Sequence, residues 1–274
     1  MKFTKMHGAG NDFVMLDGIS QHLKLRPEDI RRIADRRFGV GCDQVLVVEA
    51  PGRPDADFRY RIFNADGSES GQCGNGARCF ARFVHHRQLT RQQEIIVETS
   101  SGLMALRLLD RNDVEVEIGV PRFAPAEVPI VCDTEALEYD LAVADERLRV
   151  GALSLGNPHA VLRVDAVDDG SVERLGAAIE AHEMFPARVN AGFAEVVARD
   201  RLRLRVHERG AGETLACGSG ACAAVVHGRR MGWLDDRVTV ELPGGKLEIA
   251  WGGDGAPVFL TGPTAITFEG TLRS

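Results

Sequence analysis

Cys73 and Cys217 occupy the same place in two copies of one short pattern. The first copy reads Gly71-Gln72-Cys73-Gly74-Asn75-Gly76-Ala77-Arg78, the second Leu215-Ala216-Cys217-Gly218-Ser219-Gly220-Ala221-Cys222. Each thiol opens a Gly-x-Gly turn that leads into a helix-like stretch. A helix start gathers unpaired N–H groups and the positive end of the dipole, so it favours negative charge. A thiol there is expected to ionise at roughly pH 3.5–7.5, against about 8.5 for free cysteine. The same N–H groups can hold a carboxylate, and glycine lets a ligand come close. A base and a carboxylate cradle in one motif, present twice, suit chemistry that must reach both faces of one carbon.

The repeat continues past the thiols. The spacing is 217 − 73 = 144, about half of 274 residues. At that offset Arg59 matches Arg203, Arg61 matches Arg205, Ile62 matches Val206 and Glu69 matches Glu213. Upstream, Gly10-Asn11 resembles Gly156-Asn157 at an offset of 146. Two copies describe a duplicated domain rather than a solenoid.

Most of the elements that would carry these loops read as strands. Phe58–Phe63 and Leu202–His207 alternate, and Gln44–Val48, Glu94–Val97, Val114–Ile118, Ala194–Val197 and Val238–Leu242 follow. Helices are predicted over Pro27–Ala34, over Ser171–His182 and after each thiol. The reading is an α/β (α+β) chain of two similar domains, residues 1–119 and 120–262, with residues 263–274 packing on the first. Each domain is expected to curve a barrel-like sheet around a central helix.

Bulk composition narrows the function. Net charge is 33 − 40 = −7, which argues against a nucleic-acid partner, and Arg31-Arg32 and Arg36-Arg37 read as solvated helix faces. No apolar run of 18 residues predicts a membrane span, and the first residues lack a signal-peptide core, so a reducing, cytoplasmic setting is expected. In that setting Cys42, Cys79, Cys132 and Cys222 read as small packing residues, and no pair has the spacing of a zinc site. Four lysines, Lys2, Lys5, Lys24 and Lys246, lie away from the repeated loops, where a Schiff-base lysine would be needed.

Each motif also has a plainer reading. The Gly-x-Gly turns could hold structural cysteines or a phosphate, although no Gly-Lys-Ser/Thr follows. Asn64, at the position of Glu208 in the other copy, and the asparagines of Gly156-Asn157-Pro158-His159 and Val189-Asn190-Ala191 could be turn residues. His159 could be a packed histidine. A thiol-based redox sensor or binding protein also fits two reactive cysteines.

Six long segments resemble the diaminopimelate epimerases, which are pyridoxal-independent. They are MHGAGNDF, GVGCDQ, FNADGSESGQCGNGARC, GNPHAV, FPARVNAGF and ERGAGETLACGSGACA, spread from Met6 to Cys222. The resemblance implies interconversion of LL- and meso-2,6-diaminopimelate in lysine and peptidoglycan synthesis, in a cleft between the domains. It implies that Cys73 and Cys217 are the acid–base pair and that His159 and Glu208 tune them. Asn11, Gln44, Asn64, Asn157, Asn190, Glu208 and Arg209 would bind substrate. Gly74, Asn75, Gly218 and Ser219 would supply backbone donors to the reacting carboxylate. It further implies a cytoplasmic homodimer with no metal or cofactor. Proline racemase-like enzymes, which also use two cysteines, are the rival within the fold.

Overall fold

Alternation produces the strands that lead to the site. In β4 (Phe58–Asn64) the residues Phe58, Tyr60 and Ile62 are buried and Arg59 is exposed. In β13 (Arg201–Glu208) Leu202, Leu204 and Val206 are buried while Arg201 and Arg203 face solvent. A period of two puts one face of each strand on a core. The structure is a computed structural model and describes residues 1–71, 74–109, 113–143, 145–168 and 170–273.

The chain forms two units, Met1–Glu117 with Thr261–Ser274, and Ile118–Leu260. In the first, β1 (Lys2–Gly8) and β2 (Asn11–Asp17) form a hairpin. β3 (Gln44–Glu49) runs parallel to β2 and antiparallel to β4. β5 (Glu69–Ser70) turns back on β4 and feeds α2 (Gly74–His86). β6 (Glu94–Thr99) then joins β4 in parallel, followed by antiparallel β7 (Gly102–Leu108) and β8 (Asp113–Gly119). α1 (Pro27–Ala34) packs on β3, and β18 (Ala265–Thr271) lies antiparallel to β1.

The second unit repeats this plan. β9 (Tyr139–Val143) pairs with β10 (Glu146–Ser154), which forms a hairpin with β11 (Pro158–Arg163). β12 (Asn190–Ala198) is parallel to β11 and antiparallel to β13. β14 (Gly212–Thr214) turns back on β13 and feeds α4 (Gly218–Arg230). β15 (Arg237–Leu242) is parallel to β13 and antiparallel to β16 (Gly245–Trp251), with β17 (Val258–Pro263) after it. α3 (Ser171–Glu180) packs on β12 and β13. Register repeats as well: Gln44 faces both Phe13 and Asn64, and Asn190 faces His159.

The helix after each motif is the centre of its unit. α4 touches β10, β11, β12, β13 and β16, and α2 touches β1, β2, β3 and β7. Ten residues of α4, from Gly218 to Gly228, are buried, as are Asn75–Ala81 of α2. A helix buried on most sides must be apolar or small all round. Phe80 of α2 meets Tyr60 edge-on at 4.8 Å between ring centroids. Gly76 is required by close approach, since a Cβ there would lie 2.3 Å from Tyr60 Oη.

The structure departs from the sequence reading in several places. The third helix stops at Glu180, two residues early, where the Ala181 N–H closes on Ala177. Strands β1, β2, β7, β9, β10, β11, β16, β17 and β18 lie outside the expected set; β7, β9, β16 and β17 alternate in burial nonetheless, whereas β1, β2, β10, β11 and β18 carry no clean alternation and escape the pattern. β2 shows why: its last five residues are all buried. Arg36 is no idle solvated residue, because its guanidinium holds Asp12 at 2.8 Å and Asp43 at 2.7 Å. Lys5 lies nearer the site loops than expected. Its ammonium is taken up by Asp12, 2.6 Å away, and by the Gly41 carbonyl.

Candidate active site

β13 ends at Glu208 and β14 at Thr214, and the chain then enters α4 with Cys217 at the N-cap. That path brings three side chains together. Cys217 Sγ donates to Glu208 Oε2 at 3.1 Å, and Thr214 Oγ1 donates to Glu208 Oε1 at 2.5 Å. Ser219 Oγ lies 3.7 Å from the sulfur. Gly220 allows the tight entry, because a Cβ there would sit 3.0 Å from Val206 and 3.2 Å from Cys217 Sγ.

A second set of groups joins from β11 and β12. Asn157 Nδ2 donates to Ser219 Oγ at 3.3 Å, and its Oδ1 meets His159 Nε2 at 3.0 Å. An amide oxygen only accepts, so the imidazole proton is on Nε2. Asn190 Nδ2 donates to the Pro158 carbonyl at 3.1 Å, and its Oδ1 accepts the Arg209 N–H at 2.9 Å. Arg209 itself is exposed, with Nη1 on the Ala187 carbonyl at 3.1 Å.

Electrostatics correct one expectation. The helix-start argument predicts a Cys217 thiol that ionises easily, and the structure has the reverse. Burial pushes the thiol well up, and the Glu208 carboxylate pushes it further. The Gly220 N–H and the Ser219 hydroxyl favour the thiolate but weigh less. Cys217 is therefore a protonated thiol at neutral pH. His159 is neutral, held down to about 3 by burial and by the Arg209 cation.

The matching positions of the first unit form a similar set, with an amide in place of the Glu208 carboxylate. Gln44 Nε2 donates to Asn64 Oδ1 at 2.9 Å, and Asn64 Nδ2 donates to Ser68 Oγ at 3.1 Å. Asn75, which is buried, places Nδ2 3.5 Å from Asn11 Oδ1, and Asn11 Nδ2 donates to Asp43 Oδ2 at 2.8 Å. By register, Phe13 and Asn64 stand where His159 and Glu208 stand in the second unit. The half-sites are thus equivalent in backbone and unequal in charge.

Within the second unit the structure brings together Asn157, His159, Asn190, Glu208, Arg209, Cys217, Gly218 and Ser219. Within the first it brings together Asn11 and Asn75, with Gly74 preceding Asn75 at the start of α2, and Gln44 with Asn64. Cys73 and its neighbour Gln72 lie outside the described residues. Sequence reasoning missed Thr214, which orients Glu208. The signal was available, since the hydroxyl residues Ser70 and Thr214 stand at the repeat offset, 214 − 70 = 144, and the structure pairs them with Ile62 and Val206 in the same register. Among the described residues no group of His, Cys, Asp and Glu is arranged to hold a metal ion.

The sequence matches the diaminopimelate epimerase family over residues 3–124 and 151–267. It is 58% identical to the diaminopimelate epimerase of Teredinibacter turnerae over 273 residues, covering 100% of this chain and 99% of that protein. Identity to the diaminopimelate epimerase of Pseudomonas entomophila is 55%, with the same coverage. Among solved structures, a hydroxyproline epimerase from Agrobacterium vitis superposes with a TM-score of 0.72 at 16% identity, over 98% of this chain and 91% of that one. A phenazine biosynthesis protein of the PhzF family from Bacillus anthracis gives 0.70 at 16%, over 100% and 99%. The structural likenesses establish the α+β pseudo-symmetric fold, and the sequence relationship, spread over both halves, makes this chain a member of the diaminopimelate epimerase family.

Proposed function

We propose that the protein interconverts LL- and meso-2,6-diaminopimelate by moving the α-proton between two thiols, Cys73 and Cys217, without pyridoxal. The observation that carries this reading is the Cys217–Glu208 contact at the N-terminus of α4. A thiol kept protonated there is ready to deliver a proton to a carbanion. Cys73, as thiolate, would take the substrate proton on the opposite face. Each turnover then leaves Cys73 as thiol and Cys217 as thiolate, so a proton must return before the same direction runs again.

The substrate carboxylate gains charge as the α-proton leaves. Gly218 and Ser219 at one helix start, and Gly74 and Asn75 at the other, supply preorganised donors for it. Glu208 and Arg209, with Asn11, Gln44, Asn64, Asn157 and Asn190, would hold the polar remainder of the substrate. His159 packs behind Asn157 as a neutral donor and fixes that amide. We further infer a homodimer working in a reducing cytoplasm. Free thiols persist in that setting, where they are kept reduced.

The test is incubation of the protein with LL-diaminopimelate in D₂O, followed by proton NMR and chiral chromatography. Formation of the meso isomer with deuterium at one α-carbon is expected. No isotope uptake, or equal reaction with proline, would reject the reading in favour of a binder or a proline racemase-like enzyme.

A further inference from the structure

Arg78 is fully buried, an unusual place for a guanidinium. It stands one turn inside α2, and its Nη2 donates to Asn75 Oδ1 at 2.9 Å. Its Nη1 lies 3.5 Å from the carbonyl of Gly74. The end of β1 closes over it, since a Cβ on Gly8 would fall 3.2 Å from Nη2 and 3.4 Å from the Asn75 carbonyl.

The chemistry of the contact is directional. A guanidinium only donates, so it fixes the amide oxygen of Asn75 toward itself. The NH₂ of Asn75 then turns to Asn11 Oδ1, and the NH₂ of Asn11 turns to Asp43, which only accepts. Two amides that could each flip are locked between a donor-only and an acceptor-only end. We propose that Arg78 is a positioning residue for the reaction: it orients the Asn75 and Asn11 amides, and so the donor face that the first half-site presents to the substrate carboxylate.

The second half-site explains why one arginine suffices. The residue matching Arg78 is Cys222, and the residue matching Asn75 is Ser219. A hydroxyl rotates to suit its partner and needs no orienting cation. Arg78 thus accompanies an amide, as the argument requires.

This inference rests on the proposed epimerase reading, and the experiment separates the two. Arg78→Met, Arg78→Lys, Asn75→Ala and Arg78→Met/Asn75→Ala are compared with wild type, with kcat and KM on LL-diaminopimelate and thermal melts. Arg78→Met is expected to lower kcat/KM about 30-fold, in the range of a lost charged hydrogen bond, with KM raised and the melt little changed because a desolvated charge is removed. Arg78→Lys, still donor-only, should recover part of the loss. The double variant should be no worse than the poorer single variant. Should Arg78→Met fail to fold, the cycle is run with Arg78→Lys. Additive losses, or a lower melting temperature with unchanged kcat and KM, would overturn the role of Arg78. An inert wild type would overturn the epimerase reading itself, and the inference with it.

Discussion

Cys217 and Glu208 share a proton donor–acceptor contact of 3.1 Å, with Thr214 holding the far carboxylate oxygen. The carboxylate is thereby aimed at the sulfur instead of rotating away. An anion beside a buried thiol opposes its ionisation, and that outweighs the helix start. Glu208→Gln should release the restraint. The alkylation of Cys217 by iodoacetamide, followed by peptide mapping against pH, should shift to lower pH in the variant. The same change should lower kcat/KM by about 10²-fold, the scale of a mistuned acid–base group. An unshifted alkylation profile would mean that burial alone governs the thiol.

The paired motifs predict that neither thiol can replace the other. Cys73→Ala and Cys217→Ala should each lower epimerisation by about 10³-fold or more while leaving the melt intact. Cys79 and Cys222 are fully buried one turn into their helices, and Ala in either place should cost only about 1 kcal/mol of packing. Turnover within tenfold of wild type in either of the first pair would rule out a two-base mechanism.

What was legible in the sequence follows its periodicities. β4 and β13 alternate because one face meets α2 or α4 while the other carries charged residues that reach water or ion pairs, as Arg205 of β13 does with Glu173 of α3, so their pattern survives in composition. β1 does not, because Thr4 and Lys5 are buried beside Met6, and Lys5 is tolerated only through Asp12 and Gly41. No single-strand pattern signals a partner seven residues away. The repeat made two pairs of candidate positions legible, Asn11 with Asn157 and Asn64 with Glu208, whereas the equivalence of Gln44 and Asn190 emerges only from the strand registers. The thiol electrostatics were not. They depend on how deep Cys217 lies and where Glu208 points, and spacing fixes neither.

Two buried histidines set an acid limit to stability. His159 and His227 are neutral in the fold, held down to about 3 and about 4, chiefly by burial. Both ionise near 6.5 in the unfolded chain. Between those values the unfolded chain binds more protons, so stability is complete above pH 6.5 and falls as pH drops toward 4. For His227 alone the span is 6.5 − 4 = 2.5 units, about 3 kcal/mol at 1.36 kcal/mol per unit. Thermal melts from pH 7.5 to 4.5 should fall steeply. His227 packs edge-on against Trp233, and its Nε2 has no hydrogen-bond partner among the described residues. His227→Leu should therefore flatten the acid slope, and a slope identical to wild type would remove His227 from the account.

Arg209 tests how the distant end of the substrate is read. Its backbone is fixed by Asn190 and its Nη1 by the Ala187 carbonyl, yet the side chain is exposed. The guanidinium is thus anchored at one corner and open to a ligand. Diaminopimelate carries a second carboxylate, which a planar fork can bind through two parallel hydrogen bonds. Binding energy from that end would hold the α-carbon in line for proton transfer. Lysine cannot reproduce the fork, so Arg209→Lys should lose on the order of 2 kcal/mol in kcat/KM, about 30-fold. Free lysine, lacking the distal carboxylate, should be a very poor substrate of the wild type and should be no worse a substrate of Arg209→Lys. Measuring kcat/KM for both substrates on both proteins decides the matter. Brisk racemisation of lysine, or equal losses on the two substrates, would show that Arg209 supports the fold of its loop and does not read the distal carboxylate.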